Sequence, residues 1–129
     1  MDKEIIENNK MIAKFMGWIY IPWQEATGKH AGWIKPKSKI HSPKIDNTYL
    51  CRSHNDLKYH KDWNWLMRVM EKIENLNRFT DIQHGLQPQN FGLKKYAAII
   101  GDVVVEDNIK INAVYNAVIE FIKLYDQQK

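Results

Sequence analysis

The stretch KINAVYNAVIEFIKLY, residues 110 to 125, constrains the fold more than any other part of the chain. Stepped at about 100° per residue, it is a helix on which only Asn112, Asn116, Glu120 and Lys123 form a polar stripe. A helix apolar around most of its circumference must be buried on more than one side, against a sheet and either another helix or a second subunit. Asp107 or Asn108 stands where an N-cap is needed, and the helix is expected to end near Tyr125. With 129 residues, 44% of them hydrophobic, the chain is long enough to build that core as a single domain spanning 1–129.

The sheet is expected just upstream. RFTDIQ reads as a strand, GLQPQNFG as a loop, and KKYAAII-GD-VVVED as a hairpin turning on Gly101-Asp102. Before it, Asp62 can cap a helix running from Trp63 to about Asn77. Leu66, Val69, Met70 and Ile73 lie within its apolar arc, with Trp63 and Trp65 at the arc's edges. These two indoles are expected to pack the helix in place rather than to bind a ligand. A first helix is expected from Lys3 to Met16, with Ile5, Ile12 and Met16 on one stripe and Glu7, Lys10 and Lys14 opposite. Gly17 suits its left-handed cap. The order predicts an α+β class: a small antiparallel sheet layered with about three helices as an α-β-α sandwich.

Residues 18–61 are an irregular excursion between the first two helices, punctuated by Pro22, Gly28, Gly32, Pro36 and Pro43, with short strands at WIYI and TYLC. Within them, residues 29 to 61 carry eight bases against two acids, so the whole positive excess of a chain of net charge +4 lies there. Lysines attract phosphates at long range and aromatic faces stack on bases, so an anionic ligand of nucleotide type, or alternatively a single-stranded nucleic acid, is expected to meet this segment. The candidate binding residues are Trp18, Trp23, Lys29, His30, Trp33, Lys35, Lys37, Lys39, Arg52 and His54. The bland alternative is a lysine-rich surface over a satellite aromatic cluster.

Other chemistry has weaker support. Cys51, His54 and His60, with His30 and His41 further off, do not make the two close ligand pairs of a structural zinc site, so no metal or cofactor is expected. SHND, residues 53 to 56, could offer a histidine base and a carboxylate to a phosphodiester-cleaving enzyme, but it also spells a turn. The familiar phosphate-loop, zinc-protease and serine-hydrolase motifs do not occur. A lone cysteine, an acidic N-terminal stretch and no long apolar run point to a cytoplasmic protein without a membrane association.

NKMIAKFMGW, DLKYHKDWNWLMRVMEKIE and KINAVYNAVIEFIKLYDQQ together resemble the phage α-β-α sandwich domain family of small phage and prophage proteins. The resemblance rests on Trp63, Trp65, Leu66, Met67, Val69, Glu71, Lys72 and Ile73, and on Ala113, Val114, Tyr115, Glu120, Phe121, Ile122 and Lys123 of the tail. Asp62, Asn64 and Arg68 depart from its usual Ser, Asp and Pro. It implies a layered fold and a phage setting inside a bacterial host, without an established reaction. The expected function is therefore a non-enzymatic accessory protein that binds an anionic ligand, such as a nucleotide signal of a bacterial defence system. A protein-interaction module that dimerises through the last helix or binds a host or phage protein is the alternative, and a metal-dependent phosphodiester enzyme is the third reading.

Overall fold

The structure is a computed structural model describing residues 2–22, 31–34, 49–84 and 94–128. Among these residues it is α+β, with three α-helices and two antiparallel sheets of three strands each. The chain divides into two compact units, Met1–Leu57 and Lys58–Lys129. Each unit is described by itself.

In the first unit, α1 spans Lys3–Phe15, and the Asp2 carboxylate accepts from the Glu4 amide at 2.9 Å. Ile12 and Ala13 bury the apolar side of the helix, with Asn9 beside them. The helix stops as its sequence predicts. Gly17 sits at φ +92°, its amide donates to Lys14 O, and the Trp18 amide donates to Ala13 O. This pair of bonds is the Schellman motif, which satisfies the last free carbonyls and turns the chain sharply.

That turn feeds β1, Ile19–Ile21, which pairs with β2, Gly32–Ile34, and β2 in turn pairs with β3, Tyr49–Cys51. WIYI and TYLC thus supply the edge strands, while the central strand β2 was not expected from the sequence. All three β2 residues are buried. The register sets Tyr20 opposite Trp33 and Trp33 opposite Cys51, with an irregularity at Trp33/Ile34. A short 3₁₀ turn, His54–Asp56, follows, and Ser53 Oγ accepts from the Asn55 amide at 3.2 Å. This is the turn reading of SHND. Asn9, 0% exposed, donates from Nδ2 to Leu57 O at 3.1 Å, which ties α1 to the chain just past that turn.

In the second unit, α2 spans Trp63–Asn75 and buries Leu66, Val69, Met70 and Ile73. The Asp62 carboxylate caps it, accepting from the Asn64 amide at 2.9 Å and the Trp65 amide at 3.4 Å. Asn77, at φ 61°, ends it in the left-handed region that asparagine tolerates. Trp65 packs edge-on against Tyr59 at 5.1 Å, and the Lys110 ammonium lies over the Trp63 ring at 5.5 Å. Both indoles are half-buried packing groups.

The sheet runs β4, Thr80–His84, then β5, Tyr96–Ile100, then β6, Val103–Asp107. Ile100 pairs with Val103, leaving Gly101-Asp102 as the two-residue turn. Only Gly101 of the two has positive φ, +58°, the pattern of a II′ turn. The loop expected at GLQPQNFG lies outside the described residues. The last helix, α3, spans Lys110–Gln127, against the sheet at β5 and β6 and against α2, so its broad apolar surface meets both a sheet and a helix. Its start differs from the expectation. Neither Asp107 nor Asn108 caps it, because Asp107 Oδ1 accepts from the Ile109 amide and Asn108 Oδ1 from the Lys95 amide. Those carboxylate and amide groups close the strand-to-helix turn instead, and the N-cap position falls to Ile109 without a side-chain bond. No helix among the described residues is long and apolar enough to cross a membrane.

Two substitutions test the helix ends. Gly17→Ala meets no atom within 4 Å, so its expected cost, about 1 kcal/mol, is purely the strain of an L-residue at positive φ. Asp62→Ala is expected to cost about 1 kcal/mol and Asp62→Ser much less, because the serine keeps a capping oxygen. Denaturant midpoints of the purified variants measure both.

Candidate functional site

The site grows from one buried donor. Trp33 is 0% exposed in the central strand of its sheet, and an indole N–H can only donate. It finds His54, whose Nδ1 accepts from Trp33 Nε1 at 2.9 Å. That bond requires an unprotonated Nδ1, so the neutral imidazole carries its proton on Nε2. The Tyr20 ring, opposite Trp33 in the register, lies 4.2 Å from the His54 ring at 40°, and 5.6 Å from the Trp33 ring. Trp33 meets His54 edge-on at 5.6 Å.

Helix α1 brings charge to this cluster. Glu7, Lys10 and Lys14 follow at intervals of three and four, and so share a face of the helix. Lys10 and Lys14 line an open cleft of about 530 Å³ together with Gly17, Trp18, Ile19, Tyr20, Trp33 and His54. Lys10 Nζ is paired with Glu7 Oε1 at 3.3 Å, while Lys14 is exposed at the carboxyl end of the helix. The His54 pKa is held below its usual 6.5, first by burial, then by Lys10, with Glu7 acting in the opposite sense and Lys14 adding to the lowering. The arrangement can offer flat aromatic faces, ammonium groups and a neutral N–H donor to one small molecule.

Of the ten residues singled out from the sequence, Trp18, Trp33 and His54 line this cleft. Arg52 is exposed just past β3 and does not line it. Trp23, Lys29, His30, Lys35, Lys37 and Lys39 lie outside the described residues. Lys10, Lys14 and Tyr20 were missed. The lysines sit on the face that amphipathic reading assigns to solvent, and Tyr20 is one residue of a short apolar strand. The available signal was proximity: Lys10, Lys14, Gly17, Trp18 and Tyr20 all lie within eleven residues.

The remaining clusters are simpler. Cys51 Sγ lies 3.3 Å from Ser53 O. Among the described residues no three His, Cys, Asp or Glu side chains gather as a metal site would require. His60 lies edge-on to Tyr115 at 6.3 Å, and its pKa is lowered by burial and then by Lys61.

Because both His54 and His60 titrate below 6.5 in the folded state, the unfolded chain protonates first as the pH falls. Their contribution to stability is complete above 6.5 and is lost as the pH falls through the lowered folded values. Denaturant melts are expected to show this decline. His54→Asn, whose amide oxygen can still accept from Trp33, is expected to remove the His54 share of the slope and leave that of His60.

No family model matches the chain, and no curated protein or solved structure matches it either.

Proposed function

We propose that this chain is a non-enzymatic binding protein whose cleft, between α1 and the β1–β2 strands, holds an anionic ligand of nucleotide type. The observation that carries the reading is the juxtaposition of the Tyr20, Trp33 and His54 rings with Lys10 and Lys14 in one cleft of about 530 Å³. That volume falls within the range of about 300 to 1,000 Å³ common for small-molecule sites. Trp18, Tyr20 and His54 are half-buried and can present an aromatic face to a base, whereas Trp33 is fully buried and supports them, and the ammonium groups neutralise a phosphate. Glu7 competes with the ligand for Lys10. It engages Lys10 at 3.3 Å and would be displaced by an incoming phosphate.

The setting, a phage or prophage accessory protein in a bacterial cell that sequesters a nucleotide signal of host defence, rests on the family resemblance. Docking to a protein partner is the second reading. It is favoured by Phe79, 64% exposed, and Leu124, 44% exposed, which line a small cavity with Phe121 and Tyr125 in the second unit.

Thermal melts with a panel of nucleotides separate the two. A ligand at a hundred times its Kd adds about 2.7 kcal/mol, which raises Tm by several degrees, and the shift shrinks with added salt. Lys10→Ala and Lys14→Ala are each expected to weaken binding about tenfold, and Glu7→Gln to strengthen it. Melting curves unchanged by every nucleotide, together with concentration-dependent sedimentation, would favour the docking reading.

A further inference from the structure

We propose that His54 is a binding residue that offers its Nε2–H to the ligand as a fixed donor, so that the cleft selects a nucleotide whose base presents an acceptor atom to the imidazole edge. This deepens, and rests on, the nucleotide reading of the cleft.

The geometry is set from the buried side. Nδ1 is engaged by the Trp33 indole at 2.9 Å, and Trp33 has no other route to satisfaction, since it is fully buried and its N–H only donates. A flip of the imidazole would remove that acceptor. The Tyr20 ring at 4.2 Å further limits rotation. The two imidazole nitrogens point in divergent directions, so with Nδ1 aimed at the interior Nε2 is directed away from it, on a half-buried residue that lines the cleft. No partner for Nε2 occurs among the described residues. A preset donor of this kind discriminates more sharply than a positive charge, because a base edge that presents a donor there leaves two N–H groups face to face.

The charge state follows from the same bond. Protonating His54 places a second N–H at Nδ1, opposed to the buried Trp33 N–H, so the imidazolium and the intact cluster exclude one another. Lys10 and Lys14 on α1 oppose that charge, and Glu7 on the same helix face favours it. From β1 and β2 the groups facing the imidazole are the Tyr20 and Trp33 rings. Acidification therefore weakens binding of an anion, although the total positive charge of the cleft would rise.

The probe is a cyclic nucleoside monophosphate, because its phosphodiester does not titrate between about pH 5 and about pH 8, whereas a phosphate monoester has a second pKa of about 6. Calorimetric titration of the full chain at constant ionic strength is expected to show affinity falling towards tenfold per pH unit below the His54 pKa. His54→Gln keeps a non-titrating amide donor near the Nε2 position and is expected to flatten that profile. Nitrogen-15 spectra of the free protein should show Nε2 protonated and Nδ1 bare at neutral pH. Affinity that rises on acidification, a slope that survives in His54→Gln, or a proton on Nδ1 would each overturn the donor assignment while leaving the nucleotide reading intact. If no cyclic or linear nucleotide binds at any pH, the nucleotide reading fails, and this inference with it.

Discussion

A single indole N–H, that of Trp33, governs the first unit. Burying an indole is favourable only if its one polar atom is satisfied, and the acceptor here is not a backbone carbonyl but a titratable side chain. That choice has three effects. It draws the 3₁₀ turn carrying His54 onto β2, it selects the imidazole tautomer, and it leaves the other ring nitrogen available. The buried Asn9 bond to Leu57 O acts beside it, holding α1 against the chain that leaves the same turn. Together the two bonds bring a helix face bearing Lys10 and Lys14 to a strand bearing Tyr20.

The second unit is governed by apolar pattern instead. Its strands pair in continuous antiparallel register, its hairpin has the glycine that a II′ turn needs, and α3 reaches both the sheet and α2. Several polar groups here serve ends and turns. Asp62 caps α2, while Asp107 and Asn108 close the turn into α3 rather than cap it. Trp63 and Trp65, conspicuous in the sequence, are edge groups of this packing, one under the Lys110 ammonium and one against Tyr59.

What could be read from the sequence follows from how local each signal is. The helix of Leu66, Val69, Met70 and Ile73, the Asp62 cap, the Gly17 cap and the Gly101-Asp102 turn are short-range patterns, and each was legible. Strand β2 was not, because Gly32–Ile34 is three residues long and acquires its identity only by pairing on both sides. The start of α3 departs from expectation for a related reason: Asp107 and Asn108 both have capping chemistry, but the residue just before β5 claims Asn108 through the Lys95 amide. In the site, Trp18, Trp33 and His54 were legible as aromatic residues in a basic segment, yet among the described residues the lysines that line the cleft with them come from α1. Amphipathicity records that Lys10 and Lys14 avoid the core, and it is silent on what lies across from them.

The Schellman turn at Gly17 has an evolutionary reading. It joins the helix that carries the ammonium groups to the strand that carries Tyr20 with no loop to absorb a change in length. One residue inserted or deleted between Lys14 and Gly17 would rotate the lysines by about 100° relative to the cap, and carry them off the cleft. Segment KMIAKFMGWIY can therefore vary in composition far more freely than in length. Spacing from Lys10 through Lys14 and Gly17 to Tyr20, rather than the tryptophan pair of α2, is the mark by which chains sharing this cleft would be told from chains sharing only the fold.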